Sequence, residues 1–215
     1  MTVLAASADP ERASAMAAYM KHRFVFFGVP AAERRAAQRE VFSDWRTPDA
    51  GELVDFADRC WTEDRRELQY AACDQLRRHA GRLEAGHLGD VERLIVAKPW
   101  WDTCDVLATR VVGPLVAAHA ELLDDMERWV RSGDLWLERA AILHQLNYGE
   151  DSNEALLFRS CLAHAASPEF FHRKAIGWAL RQYARVAPEA VRAFVADHED
   201  ELSTLSKREA TKHLR

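Results

Sequence analysis

Apolar positions recur along this chain at three- and four-residue steps, and no segment sustains the period-two alternation of a half-buried strand. That pattern predicts an all-α fold. Pro10, Pro30, Pro48, Pro99, Pro168 and Pro188 each stand near the start of an apolar-periodic stretch, where a first helical turn tolerates the missing N–H. Gly28, Gly81, Gly133 and Gly149 fall where such stretches end. Between these marks there is room for about a dozen helices, paired as hairpins.

A longer period overlies the helical one. RELQYAACDQL from Arg66, WDTCDVLATRV from Trp101, WLERAAILHQL from Trp136 and FHRKAIGWALR from Phe171 resemble one another, and their starts lie 35 residues apart. SKREATKHLR from Ser206 is a weaker fifth copy. A period of this size belongs to helix pairs stacked as a curved solenoid, one helix of each pair lining a concave surface. The expected architecture is a single HEAT-like repeat domain over residues 1–215, with the period clearest from 66 to 215. About six helix pairs would then frame one groove. Ala71-Ala72, Val106-Leu107, Ala141-Ile142 and Ile176-Gly177 occupy equivalent positions and predict the face packed on neighbouring helices. Thr211-Lys212 stands there in the last copy, as suits a terminal repeat.

Polar and aromatic residues gather on the opposite face. Trp101 and Asp105 are one helical turn apart; Arg139 and Lys174 hold equivalent places in the next two copies, with Trp178 and Arg181 further along. Asp105 is the most informative of these, because Ala140, Ala175 and Ala210 occupy its place in the later copies. A carboxylate in such a slot is costly unless it is paired or functional. Spacing alone leaves two readings open: a catalytic carboxylate, or one half of an ion pair with Arg139 between repeats. Trp100, Trp136 and Phe171 are expected to be packing residues.

Composition narrows the class. Hydrophobic residues make up 48% and charged residues 29%, which excludes a disordered chain. No apolar run approaches the roughly eighteen residues of a membrane span. The opening MTVLAASADPERASAM carries acids early and lacks a basic-then-apolar order, so no signal peptide is read and a cytoplasmic address is expected. Cys60, Cys73, Cys104 and Cys161 form no C-x-x-C pair, which favours buried free thiols over zinc or disulfides. The formal net charge of −5 does not advertise a nucleic-acid binder. Yet Arg173, Lys174, Arg181 and Arg185 give +4 between Phe171 and Arg185, and Lys207, Arg208, Lys212 and Arg215 outweigh Glu209 after Leu205. The C-terminal third therefore carries a basic surface, which is either a solvated face or a site for phosphates.

KPWWDTCD (Lys98 to Asp105), LWLERAAIL (Leu135 to Leu143), KAIGWALRQYA (Lys174 to Ala184) and LSKREATKH (Leu205 to His213) closely resemble the AlkD family of bacterial DNA alkylation-repair glycosylases. MAAYMKHRFVFFGVPAAERR (Met16 to Arg35) is similar to that family's N-terminal helix pair, and the resemblance runs in order over nearly the whole chain. It implies a catalytic aspartate at Asp105, a catalytic tryptophan at Trp101, an active-site arginine at Arg139, a second cleft tryptophan at Trp178 and a cleft tyrosine at Tyr19. It also implies hydrolysis of N3- and N7-alkylated purines in double-stranded DNA without a flipped-base pocket. Arg139, Lys174 and Arg181 are expected to hold phosphates, with Lys207 and Arg208 adding to the DNA surface. A monomer without cofactor, metal or membrane association is expected, nucleoid-associated during repair.

The main alternative is a non-catalytic helical-repeat module that binds damaged DNA or a protein partner. Metal-dependent chemistry has little support, since no H-x-x-x-H or H-E-x-x-H pair occurs and His144 and His172 stand isolated in the sequence. No G-x-S-x-G turn supports a serine nucleophile, and no lysine is singled out for a Schiff-base lyase step.

Overall fold

Helices and short turns make up the chain, described over residues 2–43 and 45–214 of a computed structural model. Extended pairing among the described residues is limited to an isolated parallel bridge between Val25 and Arg65, as an all-α chain requires. No helix among them is long and apolar enough to cross a membrane. Packing divides the chain into two compact units, Met1–Leu83 and Glu84–Arg215.

The first unit contains α1 (Thr2–Ala6), α2 (Pro10–Tyr19), α3 (Ala31–Val41), α4 (Ala50–Thr62) and α5 (Arg66–Arg78). Its helices start where the sequence provides caps. Asp9 accepts the N–H groups of Glu11 and Arg12 at 3.0 Å each, with Pro10 at the first helical position of α2. Asp49 and Glu52 form a reciprocal capping box on α4. Leu53, Ala57 and Leu76 lie in the core, yet α5 also buries Arg66 and Glu67 completely. Glu67 accepts the N–H groups of Phe27, Gly28 and Val29 at 3.0, 2.8 and 3.2 Å, and the Arg66 guanidinium lies 3.7 Å from the centre of the Phe24 ring. Two charges that burial would penalise thus anchor the 24–29 segment. Gly28 is required there: its φ is +89°, and a Cβ would come within 2.1 Å of the Asp9 carbonyl oxygen.

The second unit runs through α6 (Leu88–Val96), α7 (Trp101–Leu107), α8 (Gly113–Ala118), α9 (Leu123–Val130), α10 (Leu135–Leu143), α11 (Glu154–Ala163), α12 (Phe170–Tyr183), α13 (Pro188–Asp197) and α14 (Thr204–Ala210). The copies beginning at 101, 136, 171 and 206 coincide with α7, α10, α12 and α14 to within two residues. Alanine, leucine and isoleucine at the expected packing positions are buried, including Leu107, Ala141, Ile142 and Ile176. Each fully buried leucine or isoleucine contributes about 1.5–3 kcal/mol. Trp100, Trp136 and Phe171 do pack together, with ring centroids 5.6, 5.1 and 4.9 Å apart, and so tie the starts of three successive repeats.

One segment departs from the simple helical pattern. From Trp101 to Ala118 the helical backbone is continuous, but residues Ala108–Val112 form a π-helical turn between α7 and α8. Pro114 accounts for it, since a proline inside a helix has no N–H for the preceding turn and crowds its carbonyl. The other six prolines stand at helix starts as expected; this seventh lies inside a helix. The carbonyls of Thr109 and Gly113 accept instead from Asn147 Nδ2 (2.9 Å) and the Tyr148 hydroxyl (2.7 Å), both beyond α10. Gly113 permits the approach, because a Cβ there would sit 2.4 Å from the His144 carbonyl oxygen.

All four cysteines are free and buried. Burial pushes the Cys60 thiol up to about 12 and those of Cys104 and Cys161 well above the usual range.

Candidate functional site

The slot that separates Asp105 from its repeat equivalents is a buried one: Ala140, Ala175 and Ala210 are at most 1% exposed. Asp105 keeps 16% of its side chain accessible, while Arg139 from α10 retains 5%. Arg139 Nε donates to Asp105 Oδ1 at 2.7 Å and Nη2 to Oδ2 at 2.8 Å, a side-on bidentate pair. Nη1 donates to the Phe171 carbonyl at 2.5 Å, which carries the contact into a third repeat. Burial pushes the Asp105 carboxyl above its usual range, and the arginine pulls against that shift. A carboxylate has about four acceptor sites, and the fork uses two, so acceptor capacity remains on both oxygens. On the main-chain side, the Thr109 hydroxyl donates to the Asp105 carbonyl at 2.7 Å, joining the acid to the π-helical turn.

The ion pair between repeats, one of the two readings that spacing leaves open, therefore exists, and it changes the expectation for Arg139. A guanidinium turned inward onto a carboxylate and a carbonyl is not placed to grip phosphates. Trp101 opens α7 and Trp178 lies on α12; both are half-buried.

Lys174 and Arg181 also have a partner that sequence reasoning missed. Lys174 Nζ lies 3.1 Å from Glu209 Oε1, and Arg181 Nη1 donates to Glu209 Oε2. Glu209 occupies, in the last copy, the place of Arg139 and Lys174, so its repeat phase could have marked it. Lys174, ahead of Arg181, holds the Glu209 carboxyl below its usual range. Lys207 donates to the Glu199 carbonyl at 2.8 Å, whereas Arg208 is exposed. Tyr19 ends α2 in the first unit, 69% exposed. His172 is isolated in sequence only: its Nε2 lies 3.1 Å from Glu138 Oε2, and its ring is 4.4 Å from that of His164.

These features define an all-α helical-repeat protein in which one copy exchanges a packing alanine for a clamped, partly accessible acid. The chain belongs to the DNA alkylation repair enzyme family, whose model matches residues 1–214. A solved structure described as a predicted DNA alkylation repair enzyme from Enterococcus faecalis is similar to it at 32% identity, covering 96% of each chain with a TM-score of 0.89. No curated protein matches the chain.

Proposed function

We propose that this protein is a DNA glycosylase of base excision repair that hydrolyses the N-glycosidic bond of cationic N3- and N7-alkylated purines in duplex DNA. The observation that carries this reading is Asp105, an acid in an alanine slot, oriented through both oxygens by Arg139 with 16% of its side chain still accessible. An alkylated purine is already cationic, so it departs without a strong general acid. Positive charge then builds on the deoxyribose. Asp105 stabilises that charge and positions the attacking water, and Arg139 fixes the direction in which the acid points. Trp101 and Trp178 offer negative ring faces to the cationic nucleotide. Lys174, Arg181, Lys207 and Arg208 contact phosphates, and Tyr19 adds a DNA contact from the first unit. The charge of the lesion, rather than a pocket for a flipped base, carries recognition. Bond cleavage in this scheme needs neither metal nor lyase chemistry, and the protein acts as a monomer in the cytoplasm.

A second reading draws on the same pair. Because Arg139 engages both Asp105 oxygens, the pair also suits a purely structural brace in a non-catalytic binding module. Release of 7-methylguanine or 3-methyladenine from alkylated duplex DNA separates the two. The glycosylase reading expects release by the wild type and a large loss in Asp105→Asn. DNA binding without base release would favour the module.

A further inference from the structure

Behind Arg139, in the second unit, Glu138 of α10, His164 at the end of α11 and His172 of α12 bring one ligand-capable atom each to within 4.8 Å of one another. Their side chains are 13%, 11% and 5% exposed. We propose that this cluster is a structural binding site for a divalent cation of the zinc class, separate from the bond-cleaving acid.

The hydrogen-bond geometry around the three side chains supports it. His164 Nε2 lies 2.8 Å from the Val130 carbonyl oxygen, which can only accept, so the ring proton is on Nε2. Nδ1 is then a bare lone pair, and it faces Glu138 Oε2 at 3.9 Å. His172 Nδ1 is held by the Ser167 hydroxyl at 2.9 Å, while its buried Nε2 lies 3.1 Å from Glu138 Oε2 without the alignment of a hydrogen bond to it. Glu138 Oε1 accepts the Gly133 N–H at 3.0 Å, which leaves Oε2 turned inward. Each candidate ligand is thus oriented by a hydrogen bond through its other heteroatom, as metal-ligating side chains are. In the tautomer that places the His172 proton on Nδ1, donated to Ser167, three lone pairs converge without an intervening charge, and a cation at the centre removes that repulsion.

Two imidazoles and a carboxylate suit zinc, cobalt or nickel better than calcium or magnesium. Ligands at the usual zinc distances stand about 3.4 Å apart on a tetrahedron. The spacings of 3.1 and 3.9 Å from Glu138 Oε2 bracket that separation, and the two imidazoles, whose nitrogens stand within 4.8 Å of each other, would close by about an ångström around the ion. Water would complete the shell. A cation here pins α10, α11 and α12 together immediately beside the residue that orients Asp105.

The test is titration of the full-length, chelator-stripped protein with cobalt(II), read by visible absorption, followed by displacement with zinc. The expected result is one cobalt per chain with a low-symmetry d–d band, lost on adding zinc, and a higher Tm with zinc. His164→Gln and Glu138→Gln, checked for native circular dichroism, should each lower zinc affinity at least tenfold. Absence of stoichiometric cobalt binding to the wild type would overturn the proposal, as would unchanged binding in a folded variant. Base release assayed with a chelator present reports on the glycosylase reading independently.

Discussion

Arg139 holds Asp105 by both carboxylate oxygens from the following repeat, and the same guanidinium reaches the Phe171 carbonyl one repeat further on. One side chain therefore orients the acid and joins three repeats. Substitutions at this pair must be followed by stability as well as by rate. Asp105→Ala leaves the buried guanidinium without its counter-charge and is expected to cost about 3–5 kcal/mol. Urea denaturation measures that loss. Asp105→Asn keeps the shape and part of the hydrogen bonding; single-turnover base release should fall about a hundredfold or more. Arg139→Lys cannot reproduce the two-point contact and should behave nearly as badly as Arg139→Ala.

The pH dependence follows from the surroundings of Asp105. Burial raises its carboxyl above the ordinary value of 3.8, and in the proposed mechanism the charged form is the active one. Base release should therefore rise as pH increases through that elevated pKa and level off above it. A single-turnover pH profile should show this acidic limb in the wild type and not in Asp105→Asn.

Glu209 occupies the cations expected to meet phosphate. Glu209→Gln frees Lys174 and Arg181, so affinity for duplex DNA should rise and the salt slope should steepen by about 1 to 2. Fluorescence anisotropy over a salt series measures both. The same change should destabilise the fold at neutral pH. Because the native carboxyl titrates below its ordinary 4.5, the stabilisation is present above that value and is lost as pH falls through the depressed pKa.

Trp101→Leu and Trp178→Leu remove the ring face while keeping apolar bulk. Each should slow base release by roughly tenfold, the scale of one cation–π contact, with a smaller effect on DNA affinity.

The π-helical turn is a further place to test. Asn147→Ala leaves the Thr109 carbonyl without its side-chain donor and should cost about 1–3 kcal/mol by denaturation. Gly113→Ala should cost more, because its Cβ meets main-chain oxygen rather than a movable side chain.

Much of the fold was legible because periodicity survives folding intact. The copies marked at Trp101, Trp136, Phe171 and Ser206 became α7, α10, α12 and α14, and the alanines in the repeat position of Asp105 became a buried row. Repeat phase brought Asp105 and Arg139 to neighbouring turns of adjacent repeats and so offered their pairing as one of two readings, which the geometry realises. What the pattern hid was direction and partnership. Arg139 shared a face with Lys174 in projection, yet it turns inward because an acid lies within reach. Glu209 was counted only as an offset to nearby bases, although its place in the period put it beside Lys174. Pro114 carries no signal of its own in the pattern, because a proline within a helix is compatible with continuity only when a wide turn absorbs it, and that depends on Asn147 and Tyr148. His164 and His172 lie on different helices, so no spacing rule joins them.

The state of the cysteines has a consequence for a protein that works where electrophiles are damaging DNA. Methylating agents react with thiolates far faster than with thiols, and only with sulfur they can reach. Cys60, Cys104 and Cys161 remain protonated at neutral pH, and Cys73 is sealed in the first unit. The interior that builds the repeats therefore also shelters a member of an alkylation-repair family from the chemistry that makes such repair necessary.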